Sequence, residues 1–273
     1  MPSWYNLLMV TEILRPATFQ EALKARGTPG SAFLGGGTWL NASLSAKPLI
    51  LISLEKLGLD SIEPGEKRCV IGATASFQKI VDHPAVPDAL REAASLTGSR
   101  TLRNMTTLGG EVALRSPDSA VIPVLIAMGA EVSIAGKKES IPIQNFISDK
   151  DGDLIVSVAI PDPGRLGVVL VVSRTSHSPR GLVVAASASS IEPRITNLRL
   201  VAADCVRPAT RLSKLEWRLE GRTLPPRSEI EEEAGGEFSP QPDIHASSTY
   251  KRYMTRVLVA DALLQMSGRK SAP

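Results

Sequence analysis

The chain has 273 residues, with 31 Lys and Arg against 28 Asp and Glu, so its formal charge is +3. That surplus is too small to be an electrostatic footprint for nucleic acid, and 4% aromatic residues supply few rings for stacking bases. Hydrophobic residues at 43% exclude global disorder and require a buried, largely aliphatic core.

In chain order, short β-type runs alternate with short helical patterns through the first 165 residues. Residues 31–34 are a brief apolar run that stops at Gly35-Gly36-Gly37. Residues 49–53 read as a buried strand, because Leu and Ile follow one another without a break, and residues 69–74 read as another. Residues 77–81 and 88–96 have helical spacing, and Pro87 suits the first turn of the second. An apolar helix is predicted over 119–128, with Asp118 as N-cap, Pro123 early enough to be tolerated, and Gly129 just past its end. Residues 130–134 and 154–160 read as strands, and Pro161-Asp162-Pro163-Gly164 then punctuates the chain.

Beyond that point three β-rich runs follow, at 167–173, 182–190 and 197–205, then a helical stretch at 211–219. Residues 221–243, rich in Pro, Gly and Glu, are expected to be a long surface connection. A last amphipathic helix is predicted over about 247–266, with Tyr250, Tyr253, Met254, Val257, Leu258 and Leu264 on its apolar face. Lys251, Arg252 and Arg256 fall elsewhere on it, on a face expected to be solvated. Three strands followed by helices predict helices packed on one face of a sheet. The fold class is therefore α+β, with one domain over 1–165 and a second over 166–273.

Two cysteines, Cys69 and Cys205, stand far apart with no CxxC. They exclude a disulfide framework, and also a cysteine-ligated iron–sulfur cluster or zinc site within this chain. His83, His177 and His245 are isolated and read as surface or hydrogen-bonded side chains, so no metal ligand is assigned. No apolar run reaches the roughly 18–20 residues of a membrane helix. The first ten residues lack a basic stretch before their short apolar segment, so no signal peptide is predicted and a cytoplasmic protein is expected.

Two glycine-rich loops carry the chemistry. The first is Leu34-Gly35-Gly36-Gly37-Thr38-Trp39-Leu40-Asn41, and the second is Arg103-Asn104-Met105-Thr106-Thr107-Leu108-Gly109-Gly110-Glu111-Val112. Neither matches GxGxxG or the P-loop pattern. Without Cβ, consecutive glycines let several N–H groups turn into one concavity that suits a phosphate oxygen, and Thr38, Thr106 and Thr107 add hydroxyls. One glycine pair is commonly only a tight turn. Two such loops, each flanked by Thr, point to a diphosphate cradled between them and so to a dinucleotide-type ligand. A Cβ added at Gly36 or Gly110 is expected to enter the phosphate space.

At these residues the sequence resembles the FAD-binding medium subunit of molybdenum hydroxylases, the xanthine dehydrogenase and carbon monoxide dehydrogenase flavoprotein family. The family pattern A-G-G-T-x-L is met by Gly35-Gly36-Gly37-Thr38-Trp39-Leu40, with Gly for Ala. Its R-N-x-A-T-[IL]-G-G-N is met by Arg103 to Glu111, and its S-P-x-x-x-x-x-P-x-L-x-A-x-G-A by Ser116-Pro117 with Pro123, Leu125, Ala127, Gly129 and Ala130. Near the C-terminus, Ala246-Ser247-Ser248-Thr249-Tyr250-Lys251-Arg252 resembles A-S-A-x-Y-R-R. The resemblance spans about residues 12–264.

It implies a two-subdomain FAD-binding domain of the vanillyl-alcohol-oxidase (PCMH) type, followed by a small three-stranded α+β domain. It also implies an electron-transfer role with FAD as cofactor. Electrons would arrive from a partner iron–sulfur subunit, itself reduced by a molybdenum-cofactor subunit, and leave for NAD or another acceptor. Leu34, Gly35, Gly36, Gly37, Thr38 and Trp39 would give backbone donors to the FAD pyrophosphate. Thr106, Thr107, Leu108, Gly109, Gly110 and Glu111 would form the opposite wall, with Ile155 and Arg174 near the ligand. No acid–base or nucleophilic catalytic residue is assigned, since the flavin carries the redox chemistry. Three positions depart from the pattern: Glu111 stands for Asn, Ala120 for Asp, and Trp39 where a small or acidic residue is common. A carboxylate at Glu111 repels a diphosphate unless it points away or is neutralised. Two other readings stay open: a scaffold subunit that keeps the fold without the cofactor, motivated by Glu111 and Ala120, and a stand-alone FAD-dependent reductase.

Overall fold

The computed structural model describes residues 10–42, 49–148, 153–175, 180–244 and 246–268. Residues 1–9, His177 and His245, which entered the sequence reading, lie outside the described residues. The N-terminal layer runs β1 (Val10–Leu14), α1 (Phe19–Arg26), β2 (Ser31–Leu34), α2 (Thr38–Ala42) and β3 (Leu49–Ser53). Its three strands are parallel, with β3 between β1 and β2. The Thr18 hydroxyl caps α1 by accepting from Glu21 N at 3.2 Å, and the Glu21 carboxylate reaches back to Ala17 N at 2.8 Å. Ala22, Ile52, Leu54 and Leu154 make a small separate core beneath this layer.

The central layer follows with β4 (Ile62–Glu63), β5 (Arg68–Gly72), α3 (Phe77–Asp82), α4 (Asp88–Ser95), α5 (Arg100–Met105), α6 (Leu108–Leu114), α7 (Val121–Ala127), β6 (Glu131–Ile134), β7 (Ile141–Pro142), α8 (Ile143–Ser148) and β8 (Ile155–Pro161). Its sheet is antiparallel throughout, in the order β4-β5-β8-β6-β7. Every residue of α7 is buried. Its end is a Schellman turn: Gly129 has φ +68°, Gly129 N bonds Ile126 O at 3.0 Å, and Ala130 N bonds Leu125 O at 2.9 Å. The expected Asp118 cap is corrected, because the Ser119 hydroxyl accepts from Ile122 N at 3.1 Å instead. Pro87 sits one step before α4, at its N-cap, rather than in the first turn.

The C-terminal layer has β9 (Leu166–Ser173), β10 (Arg180–Ala188), β11 (Arg199–Ala203), β12 (Thr210–Arg211), α9 (Ser213–Leu219), α10 (Arg227–Ala234) and α11 (Ser248–Gly268). The sheet is antiparallel in the order β12-β11-β10-β9, so the expected three strands gain a two-residue fourth. Both faces of β10 are apolar and both are covered. Leu182, Val184 and Ala186 pack with α9, α10 and α11, whereas Val183 and Ala185 join the core that holds α7 and α4. Helices therefore lie on both faces of this sheet, not on one as expected. The predicted connection at 221–243 carries α10, which anchors itself through buried Ile230 and Ala234, with Phe238 buried beyond it.

The facing of α11 is also corrected. Tyr250, Tyr253 and Leu264 are exposed, while Lys251, Thr255, Leu258, Val259, Ala262 and Met266 face inward. Lys251 is 1% exposed, and its Nζ donates to Asp204 O at 2.8 Å, Gln241 O at 3.0 Å and Asp243 Oδ2 at 2.6 Å. Three acceptors match the three protons of the ammonium, which lets a charge occupy the interior. Among the described residues no helix is long and apolar enough to cross a membrane.

Candidate functional site

The first glycine loop leaves the end of β2, which is tied to β3 by Leu54 N bonding Leu34 O at 3.1 Å. Gly37, at φ +71°, turns the chain in a left-handed conformation and starts α2. The second loop is the junction between α5 and α6. The Thr107 hydroxyl caps α6 by accepting from Gly110 N at 3.2 Å. The same loop is stitched to the chain beyond β5: Phe77 N bonds Thr106 O at 2.9 Å, Leu108 N bonds Ala75 O at 3.0 Å, and Gly109 N bonds Ala73 O at 2.8 Å.

The glycines serve first to let these segments touch. A Cβ on Gly36 would lie 1.4 Å from Met105 O, in the other loop. One on Gly109 would lie 2.6 Å from Ala73 Cβ, and one on Gly35 or on Gly110 would each lie 2.8 Å from Thr107 Oγ1. The expectation that a Cβ at Gly36 or Gly110 enters ligand space is therefore corrected, since at both positions it first meets the second loop itself.

The two loops share one hollow of about 400 Å³. Gly35, Gly36, Gly37, Thr38, Trp39 and Leu40 line one side, and Thr106, Thr107, Gly110 and Glu111 the other, with Ala113 and Leu114 of α6 and Phe33 of β2 completing it. A smaller hollow of about 80 Å³ shares Phe33, Gly35, Thr107, Gly110 and Ala113 with it, and extends past Gly109 to Leu154 and Ile155. Thus the structure brings together Gly35 to Trp39, Thr106, Thr107, Gly109, Gly110, Glu111 and Ile155. Leu34 ends β2 beside the hollow without lining it, and Leu108 is fully buried in the core. Arg174 is exposed just past β9 and lines neither hollow.

Glu111 is half-buried on the wall. Burial pushes its carboxyl up, a hydrogen bond from Ser119 opposes that, Asp118 adds to it, and Arg180 pulls it down. Arg180, at the start of β10, is held by Asp118 O at 3.1 Å and Leu96 O at 2.5 Å, so the C-terminal sheet backs this wall. The residues fit the pyrophosphate of a dinucleotide. Main chain without side chains lines both sides, hydroxyls stand among it, and the carboxyl on the wall is shifted toward its neutral form.

Sequence reasoning missed Phe33, Ala113, Ser119 and Arg180. Ala113 and Leu114 follow Gly110 by three and four residues, so recognising α6 would have exposed them. Arg180 gives no local signal, since it is joined to Asp118 across 62 residues.

The profile of the family described as the FAD binding domain in molybdopterin dehydrogenase matches residues 9–163. The chain is 34% identical to the YgfM protein of Escherichia coli K12 over 257 residues, covering 93% of this chain and 95% of that one. It is 30% identical to the nicotinate dehydrogenase FAD-subunit of Eubacterium barkeri over 141 residues, covering 47% and 48%. Its fold matches a chain of carbon monoxide dehydrogenase from Hydrogenophaga pseudoflava with a TM-score of 0.86 at 20% identity, covering 97% of this chain and 100% of the other.

Proposed function

This chain belongs to the family of FAD-binding domains in molybdopterin dehydrogenases, and from that premise we propose that the hollow shared by its two glycine loops holds the FAD pyrophosphate. The chain is an FAD-binding oxidoreductase subunit of the molybdenum hydroxylase type. The observation that carries the proposed placement is the meeting of Gly35–Gly37 and Thr106–Gly110 around one cavity. Main-chain N–H groups of the first loop bind the phosphates, the Thr107 hydroxyl of the second loop donates to them while it caps α6, and Ile155 with Leu154 keeps water from the apolar extension. When bound, FAD supplies the redox chemistry. Burial raises the Glu111 carboxyl, and Ser119 and Arg180 meet its charge from behind, which lessens its repulsion of the pyrophosphate.

In this reading residues 1–165 form a two-subdomain unit of the PCMH type and residues 166–273 a second α+β unit. The subunit takes electrons from an iron–sulfur partner that a molybdenum-cofactor subunit reduces, and it delivers them to NAD or another acceptor. Two cysteines without cluster spacing leave any iron–sulfur centre to a partner chain, and one relative is by name an FAD-subunit. The test is to load the purified chain with FAD, desalt it, and record its absorbance, then repeat with the complex copurified from its host and assayed for iron and molybdenum. A retained flavin spectrum and copurifying metals are expected. Flavin lost entirely on desalting from both preparations would refute the placement of FAD in this hollow.

A further inference from the structure

We propose that the hollow between the central helices and the C-terminal sheet is a binding site for an oxyanion, a phosphate or a carboxylate, held by Arg165 and Arg199. The hollow measures about 630 Å³ and is walled by residues 84–89, by Met128 after α7, and by the β8–β9 turn at 163–167. It shares no lining residue with the glycine-loop hollows, so it stands apart from the FAD reading.

Arg165 lines this hollow and is 8% exposed. Its Nη2 donates to Asn197 O at 2.6 Å, but its Nε is buried with no hydrogen-bond partner. Arg199 approaches from the sheet. It pairs with Ser187 of β10, which pairs in turn with Gly167 of β9, so these three residues form one row across the strands. The Ser187 hydroxyl donates to Ala127 O at 2.5 Å, which sets that row against the end of α7. The Arg199 guanidinium reaches Gly129, the residue after Met128, where a Cβ would lie 1.7 Å from Nη1. That Nη1 is also buried and unpartnered.

Asp162 acts on Arg165 and Glu216 on Arg199 from a distance, but neither forms a salt bridge with them. Arg211, the third guanidinium nearby, is held by Glu216 through Nε at 3.1 Å. Asp88, on the wall of the hollow, pairs with Arg91 at 3.0 Å. Among the described residues neither Arg165 nor Arg199 has a carboxylate within salt-bridge distance. Burial, and then Arg199, hold the Arg165 guanidinium down to about 10 against the opposing pull of Asp162, so at neutral pH it remains a buried cation with no carboxylate in direct contact. Unpaired buried guanidinium donors are costly, and an oxyanion is the partner whose geometry they match.

The test is calorimetric titration of the chain as purified, with its flavin, using sodium phosphate and sodium acetate against sodium chloride at matched ionic strength. Saturable one-to-one binding of phosphate or of acetate is expected, and whichever binds gives the ligand class. Binding should weaken about tenfold or more in Arg165→Gln and in Arg199→Gln, and stay unchanged in Arg218→Gln, an exposed arginine elsewhere. If Arg165→Gln does not fold, Arg199→Gln reads the same loss. Heats equal to chloride for both anions overturn the proposal, as does binding that both variants leave intact.

Discussion

A Cβ on Gly36 would sit 1.4 Å from the carbonyl oxygen of Met105, so the two glycine loops meet backbone to backbone. Only parting the loops relieves that overlap. Gly36→Ala is expected to lower the melting temperature and to lose most of its flavin on desalting. Gly110→Ala meets only the Thr107 hydroxyl, at 2.8 Å, and a side chain moves more cheaply than a main chain. It should retain more flavin than Gly36→Ala. Flavin-to-protein absorbance ratios and melting curves for both variants check this, and equal losses would contradict the close-approach argument.

Thr107 joins stability to the site. Its hydroxyl accepts from Gly110 N and also stands beside Gly35. Thr107→Val keeps the shape but removes the cap, and should cost about 1 kcal/mol in urea denaturation of the flavin-free chain. Thr107→Ser should restore most of that. A Thr107→Val variant as stable as the parent would show that the hydrogen bond does not support α6.

The glycine loops and most strands were legible because their signals are local. Gly129 is an example: a helix ending in a left-handed turn favours glycine just past its end, and the structure has φ +68° there. The helices α5 and α6 were not legible. Residues 100–105 offer only Leu102 and Met105 as apolar positions, both left exposed, and two glycines follow Leu108 in the first turn of α6, so tertiary bonds such as Leu108 N to Ala75 O hold it in place of propensity. The inward face of α11 departs from the expected one for a related reason. Hydropathy places a lysine outside, but the acceptors that draw Lys251 in lie at 204, 241 and 243, up to 47 residues away.

Glu111 makes stability depend on pH. Burial holds its carboxyl above the ordinary value of 4.5, so the folded chain keeps this proton to higher pH than the unfolded chain does. The penalty is absent below that value and grows as pH rises from 4.5 through the raised folded value. In the proposed placement FAD affinity should fall over the same window, since Glu111 lines the hollow assigned to the pyrophosphate. Glu111→Gln should flatten both curves. Urea denaturation and FAD titration at several pH values, on parent and variant, measure this. Parallel pH profiles for the two proteins would exclude Glu111 as the source.

Both thiols should be inert in the folded chain. Cys69 is fully buried, and burial raises its thiol. The half-buried Cys205 thiol is pushed up to about 12, by burial first and then by Asp118. At pH 8 its thiolate fraction is then on the order of one in ten thousand. A thiol reagent such as Ellman's should find two thiols in denaturant and react only slowly without it. Rapid release of one equivalent from the native chain would mean that Cys205 is activated.

Lys251 ties α11 to the loop that carries Asp204 and Cys205, through hydrogen bonds to Asp204 O, Gln241 O and Asp243 Oδ2. Asp204 is itself 1% exposed, and its carboxylate takes the amides of Val206, Arg207 and Gln241. Lys251→Met keeps the packing of the stem but withdraws a donor from each of three acceptors. Removing one member of a buried pair costs about 3–5 kcal/mol. The shift of the urea midpoint reads that cost, and the thiol assay locates it. If the ammonium pins this loop, Cys205 should become reactive in the native variant, whereas Cys69, at residue 69 of the central sheet, should stay protected. A variant that loses stability yet leaves Cys205 as slow as in the parent would show that Lys251 supports α11 alone and not the loop.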